Sequence, residues 1–395
     1  MNTKRLFAIL TASALLVGTL AGCGGSKDAS TSESGGETGT VKDVQVWATG
    51  SDNVRQTFEK LVSDFNANSE YVGTYEAKLN FILSGTGGGT LADQLVAAYK
   101  AGQTDTEFDV VDLGDDDLTK ILSLTDESVL EDLDMSKIPN AEGVTAEPVA
   151  AKGKIQPYRG TTVILAYNSE TVPEDEVPTT MDELVEWIKA HPGRFAYNTP
   201  GTGGAGDSFV RTSIYNFIDD DSALMSSDPK WMEQWDEGFA FLKELHPYMY
   251  KSGSSVVYPN KNQGTLDLLT QGEIDMCPNW ADMVLSQRKA GTVPEKIKIT
   301  TIEPSFTGSV QGIAVPSYSG NKEGGFAFID YLLSPEAQTI LVQDMAAIPL
   351  VTEGVDLTGA EELMSMDVSN FRTQALGDLV TDLNARWDEE IGTLG

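Results

Sequence analysis

Short runs rich in β-branched and aromatic residues alternate with amphipathic segments along most of the chain, and this alternation limits the possible folds more than any other feature. Val44-Gln45-Val46-Trp47 reads as a first strand. Phe58, Leu61, Val62 and Phe65 then fall at i, i+3, i+4 and i+7, on one face of a helix. Further strands are expected at 78–83, 108–113, 161–167, 195–198, 255–258, 273–277, 296–302 and 310–315, with helices at 91–99, from 118, and at 326–333. Thr180 and Glu183 form a capping box for a helix that His191-Pro192-Gly193 ends, and Ser334-Pro335 supplies a cap and a first-turn proline for another. Val210, Ile214, Phe217 and Ile218 share one helix face; Trp231, Trp235, Leu242 and Leu245 share a second. The pattern is that of an α/β protein.

The first residues serve a different purpose. Lys4 and Arg5 precede an apolar run over 6–20, and Leu20-Ala21-Gly22 places small residues before Cys23. The run is shorter than the roughly 20 apolar residues of a membrane-spanning helix. It resembles a bacterial lipoprotein signal, which implies cleavage after residue 22 and a lipid, palmitate-type acyl chains included, on Cys23. Residues 23–42 are Gly, Ser, Thr and charge with almost nothing to bury, so they read as a flexible linker. The expected location is the outer face of the cell membrane, held by the lipid. About 350 residues remain, more than one core usually serves and suited to two lobes.

The net charge is −33, and loss of Lys4 and Arg5 with the leader makes the mature chain still more acidic. With no basic cluster, nucleic acid is excluded as a partner. Once Cys23 is lipidated only Cys277 remains, inside the apolar run Ile274-Asp275-Met276-Cys277, where a small core residue is the plain reading. The acidic runs 115–117 and 219–221 lack the alternating ligands and glycine of a calcium loop, so no metal and no cofactor are expected. Catalysis also lacks its parts. His191 and His246 are the only histidines, each followed by Pro, and neither HExxH nor GxSxG occurs. The remaining enzymatic alternative is a lipid-anchored surface hydrolase that acts on glycans with two carboxylates.

Several blocks occur in a recognisable order: Tyr158-Arg159-Gly160 before TVILAYNSETVP, then PTTMDEL, HPGRFAYNTPG, LHPYMY, LLTQGEIDM, VQGIAVP and YLLSPEAQ. Together, over residues 43–345, they resemble the extracellular solute-binding lipoproteins of bacterial ABC importers. The likeness runs toward the thiamine, polyamine and ferric-ion binders, and toward an uncharacterised enteric binding protein that shares PGRFAY, LHPYMY and LLSPEAQ. The resemblance implies an α/β, two-lobe periplasmic-binding-protein-like fold of type II, with hinge strands and a ligand cleft between the lobes. Lobe one would comprise 43–160 and 305–395, and lobe two 161–304, with crossings at 161–168 and 298–311. The tail over 361–394 would pack on lobe one. The implied partners are a small-molecule ligand, the ABC permease and ATPase, and the membrane through the anchor; a monomer is expected.

In open α/β sheets, ligands meet the loops just past the carboxyl ends of strands. That rule selects Trp47, Thr49, Gly50 and Ser51 after the first strand. It selects Gly85 and Thr86 in the loop SGTGGGT after the second, and Gly114 and Asp115 after the third. Tyr197, Gly201, Thr202 and Asp207, around NTPGTGGAGD, and Asn279 and Trp280 are expected from the other lobe, with Tyr158, Arg159 and Gln311 from the crossings. Both glycine-rich loops could offer main-chain donors to a ligand, although SGTGGGT lacks the Gly-Lys-Ser/Thr ending of a P-loop. Trp47 and Trp280, one from each lobe, with Asp115 and Asp207 nearby, would suit an organic cation such as thiamine or a polyamine.

Overall fold

The computed structural model describes residues 40–84, 89–144, 146–366 and 372–394. Its element order is β1 (Lys42–Gly50), α1 (Asp52–Asn68), β2 (Tyr75–Leu83), α2 (Leu91–Lys100), β3 (Val110–Leu113), α3 (Asp115–Leu124), β4 (Ile155–Asn168), α4 (Met181–Ala190), α5 (Gly204–Tyr215), α6 (Asp236–Leu245), β5 (Lys251–Ser252), β6 (Ser255–Val256), α7 (Lys261–Gln271), β7 (Met276–Trp280), α8 (Ala281–Lys289), β8 (Ile297–Thr300), β9 (Gly308–Ala314), α9 (Lys322–Leu332), α10 (Pro335–Met345), β10 (Ile348–Pro349), α11 (Glu361–Ser365) and α12 (Leu379–Trp387). No described helix is long and apolar enough to cross a membrane.

β1 lies parallel to β2 and β3, as connections through α1 and α2 require, and β9 closes the other side of β3 antiparallel. The long strand β4 links two regions. Its first half, Ile155 to Thr162, pairs with β9, and its second half, Val163 to Asn168, pairs with β7 and β8. Hydrophobic cores consequently form at both ends of β4. One joins Val44, Val46, Phe58 and Phe65 with Phe328 and Leu341; another gathers Leu165, Trp187, Phe195, Phe209 and Trp235. The α/β architecture expected from the alternation is present, and the cores on both sides of β4 are consistent with the two lobes expected from chain length and the family resemblance.

Local sequence signals explain most elements. Thr180 accepts the Glu183 amide at the start of α4, while the Glu183 carboxylate reaches back one residue further than a standard box, to the amide and hydroxyl of Thr179. Ser334 caps α10 through the Ala337 amide, with Pro335 in the first turn. Two expectations need correction. Residues 195–198 form no strand, only isolated bridges from Phe195 to Met249 and Met276. The C-terminal tail does not pack as expected: Leu376, Leu379, Leu383, Trp387 and Ile391 enter the core that holds Tyr197, Phe209 and Trp235, on the β7 side of β4. The indole of Trp387 donates to the Tyr197 hydroxyl at 3.1 Å, and its ring meets Tyr258 edge-on at 4.8 Å. An amphipathic helix specifies that one face is buried, but not against which core.

Candidate functional site

A cavity of about 460 Å³ opens beside the middle of β4. The strand-end rule accounts for part of its wall: Thr49 and Gly50 end β1 and Ser51 follows it, Leu83 ends β2 and Ser84 follows it, and Gly114 follows β3. Thr202, Gly203 and Gly204 face them from the start of α5, Trp280 from the end of β7, and Arg159, Thr161 and Gln311 from β4 and β9. Gly204 is required by Trp280, because a Cβ there would lie 2.8 Å from the indole ring.

Arg159 owes its position to an irregularity in the sheet. Pro157 pairs with Gly312 and Arg159 with the next residue, Gln311, which leaves Tyr158 as the extra residue of a bulge. Tyr158 is thereby turned into the core, while Arg159 and Gln311 sit side by side at the cavity. The Arg159 Nε donates to the Tyr158 hydroxyl at 3.0 Å, and that hydroxyl donates to Asp112 Oδ1 at 2.9 Å. Burial pushes the Asp112 carboxyl up to about 6, against the downward pull of Arg159.

Eight of the expected residues therefore line one cavity: Thr49, Gly50, Ser51, Gly114, Arg159, Thr202, Trp280 and Gln311. Gly85 and Thr86 lie outside the described residues. The others are placed elsewhere. Trp47 lines a separate open groove with residues 103–108, its indole donating to the Glu107 carbonyl at 2.8 Å and its ring 4.8 Å from Phe108. Tyr158 and Tyr197 are core residues. Asp207 accepts the Gly201 amide at 2.7 Å and so holds the loop's shape. Asn279 is fully buried; it donates to the Asn262 carbonyl and accepts the Trp280 amide, so it positions two lining residues without lining the cavity itself. The glycine-rich loop 198–207 also offers fewer free donors than its sequence suggests, since the Ala205 and Gly206 amides are bound by the side chains of Asn262 and Asn198.

Asp115 is buried at the start of α3, outside the cavity wall, with Oδ2 lacking a partner among the described residues. Burial, with a smaller push from Asp116, raises its carboxyl to about 7. A carboxyl raised in the fold stabilises it most below its unfolded range, and that stabilisation is lost as pH climbs from about 4 through about 7. Asp115→Asn should therefore raise the melting temperature at pH 8 and change it less at pH 5. Equal shifts at both values would contradict the buried ionisation.

Sequence reasoning missed the residues contributed by helix starts. Asp52 and Asn53 begin α1, Asp117 lies in the first turn of α3, Lys261, Asn262 and Gln263 begin α7, and Asp282 and Met283 begin α8. Extending the strand-end rule by one helical turn would have found Asn53, Asp117 and Asp282; α7 follows β6, a strand of a separate two-stranded hairpin outside the main sheet, where the rule for open sheets does not apply. At the cavity wall Asn53 Nδ2 donates to Asp282 Oδ2 at 2.8 Å, joining the β1 side to the β7 side; away from the wall, Arg211 of α5 pairs with Asp116 of α3 at 2.8 Å. Cys277 is a buried residue of β7, its thiol pushed up to about 12 by burial, and belongs to the core. No group of His, Cys, Asp and Glu able to hold a metal occurs among the described residues.

A family profile described as bacterial extracellular solute-binding protein matches residues 60–368. No curated protein matches the chain. Among solved structures, a solute-binding protein from Thermotoga lettingae bound with α-D-tagatose is 14% identical, with a TM-score of 0.65 over 89% of this chain and 95% of that one. AfuA, a periplasmic binding protein from Actinobacillus pleuropneumoniae with fructose-6-phosphate bound, is 14% identical, with a TM-score of 0.60 over 90% of this chain and 100% of that one. A Trichodesmium protein in complex with iron and citrate is 15% identical, with a TM-score of 0.59 over 88% and 98% of the two chains. At these identities the likeness is one of fold.

Proposed function

We propose, from the premise that the chain belongs to the bacterial extracellular solute-binding protein family, that it captures a small solute in the cavity beside β4 and delivers it to an ABC permease and its ATPase. One observation carries this reading. The cavity is walled by strand ends and helix starts from both sides of the shared strand, a geometry that encloses a ligand when the two sides approach. We place one lobe at 43–160 and from 305 onward, and the other at 161–304, with the C-terminal helix α12 reassigned to the second. The surface-hydrolase alternative is not favoured by a family of binding proteins.

The solute is not selected by the fold, because the similar structures hold iron with citrate, a sugar phosphate and tagatose. An organic cation of the thiamine or polyamine kind rested on Trp47 and Trp280 facing each other with Asp115 and Asp207 nearby. Of these four only Trp280 lines the cavity, so the geometry behind that reading is lost.

Closure can be tested without a known ligand. Arg211→Glu, opposite Asp116, replaces an attraction between α5 and α3 by a repulsion and should increase the radius of gyration in small-angle scattering. A bound solute should reduce that radius in the native chain and raise its melting temperature by mass action. A radius that responds to neither would remove the hinge mechanism. We also propose that Cys23, outside the described residues, carries the lipid that holds the protein at the outer face of the cell membrane. Cys23→Ser should release the protein to the medium or leave its precursor unprocessed; retention identical to the native chain would defeat the anchor.

A further inference from the structure

Resting on the reading of the cavity as the solute site, we propose that the captured solute carries an anionic group, a carboxylate or a phosphate, which seats on the guanidinium of Arg159. Arg159 is only 5% exposed, yet it lines the cavity. Its Nε is taken by the Tyr158 hydroxyl, whereas among the described residues neither η nitrogen has a hydrogen-bond or ion-pair partner. A guanidinium has five N–H donors in a planar fork, and burying it with the fork unmatched is costly. The nearby carboxylates of Asp112 and Asp282 lower that cost through space but make no ion pair with it. A planar or tetrahedral anion is the chemistry that matches the fork, through two parallel N–H···O bonds.

The backbone points the same way, independently of the arginine. α1, α3, α5, α7 and α8 all begin at the cavity, and none has a cap from its N-cap side chain. Of the helices that begin elsewhere, α2, α4, α9 and α10 are capped by Thr90, Thr180, Asn321 and Ser334, and α6, α11 and α12 have no side-chain cap. Each helix start presents about half a positive charge, although at α5 the Ala205 and Gly206 amides are already bound by Asn262 and Asn198. Lys261 adds a full charge to the same wall.

The carboxylates at the cavity do not reverse this preference. Asp52 is engaged by Arg55 and Gln56, and Asp282 by Asn53 and, at 3.5 Å, by the Thr161 hydroxyl. Asp117 has no hydrogen-bond partner among the described residues, and burial pushes its carboxyl up to about 6. It provides a place for an ammonium group on the same solute, so zwitterions fit as well as simple anions. A cation alone leaves the Arg159 fork unmatched, and a neutral sugar meets it through hydroxyl acceptors without a compensating charge.

The test is calorimetry at pH 7 with the chain from residue 40. The probes are inorganic phosphate, glycerol 3-phosphate, succinate and glutamate as anions, glycerol and glucose as neutrals, and spermidine and thiamine as cations. At least one anionic probe is expected to bind, the phosphate and carboxylate arms separating the two sources of charge. Its affinity should fall by about 100-fold in Arg159→Gln. Should that variant fail to fold, Lys261→Met at the cavity wall should weaken the same probe by roughly 5-fold, with a reduced salt dependence. Binding of only neutral or cationic probes would overturn the anionic assignment and leave solute capture intact, as would an anion whose affinity survives Arg159→Gln. Silence across all three classes would count against solute capture itself.

Discussion

Trp387→Ala is expected to lower unfolding stability by about 3 to 5 kcal/mol, the range for removing a large aromatic from a packed core. Trp387 is only 1% exposed and contacts both Tyr197 and Tyr258, so the substitution leaves a cavity and removes a hydrogen bond. Trp387→Phe keeps most of the packing and loses chiefly the Nε1 donor, for a cost of about 1 kcal/mol. Urea unfolding curves of the two variants separate these contributions. A loss below about 1 kcal/mol for the alanine variant would mean that α12 is an appendage and not part of the second lobe's core.

Gly206→Ala should cost about 3 kcal/mol or more and also disturb the cavity, because an added Cβ would sit 1.9 Å from the Asn198 carbonyl oxygen. No rotamer change relieves a clash between Cβ and backbone. The first turn of α5 or the strand-like segment before it must move, and with it Thr202, Gly203 and Gly204 at the cavity wall. Gly89→Ala, where an added Cβ meets nothing within 4 Å, serves as the control and should stay within about 0.5 kcal/mol. A Gly206→Ala variant as stable as the control would show that α5 does not press against residue 198 in solution.

These two positions illustrate different kinds of legibility. That the glycines of 198–207 matter was readable from their density, but their reason was not. Sequence suggested donors for a ligand, whereas Gly206 serves close packing and its amide is bound by Asn198. Leu376, Leu379, Leu383 and Trp387 also fall at helical spacing, yet the partner of that apolar face lies some 190 residues earlier, at Tyr197.

The sequence by itself determined the alternation of strands and helices, the caps of α4 and α10, the burial of Cys277, and the wall residues at the carboxyl ends of β1, β3 and β7. All of these depend on neighbours a few residues apart, through side-chain period and first-turn hydrogen bonds. Tertiary structure alone decided which residues share the cavity. The bulge at Tyr158 chose Arg159 over its neighbour, and the placement of α7 brought Lys261 and Asn262 to the wall. The course of β1 sent Trp47 to a different groove from Trp280. Strand register and helix docking are set by contacts between segments far apart in the chain, and a one-residue change in register turns a side chain to the opposite face. The local pattern therefore specifies elements, and the packed fold specifies the site.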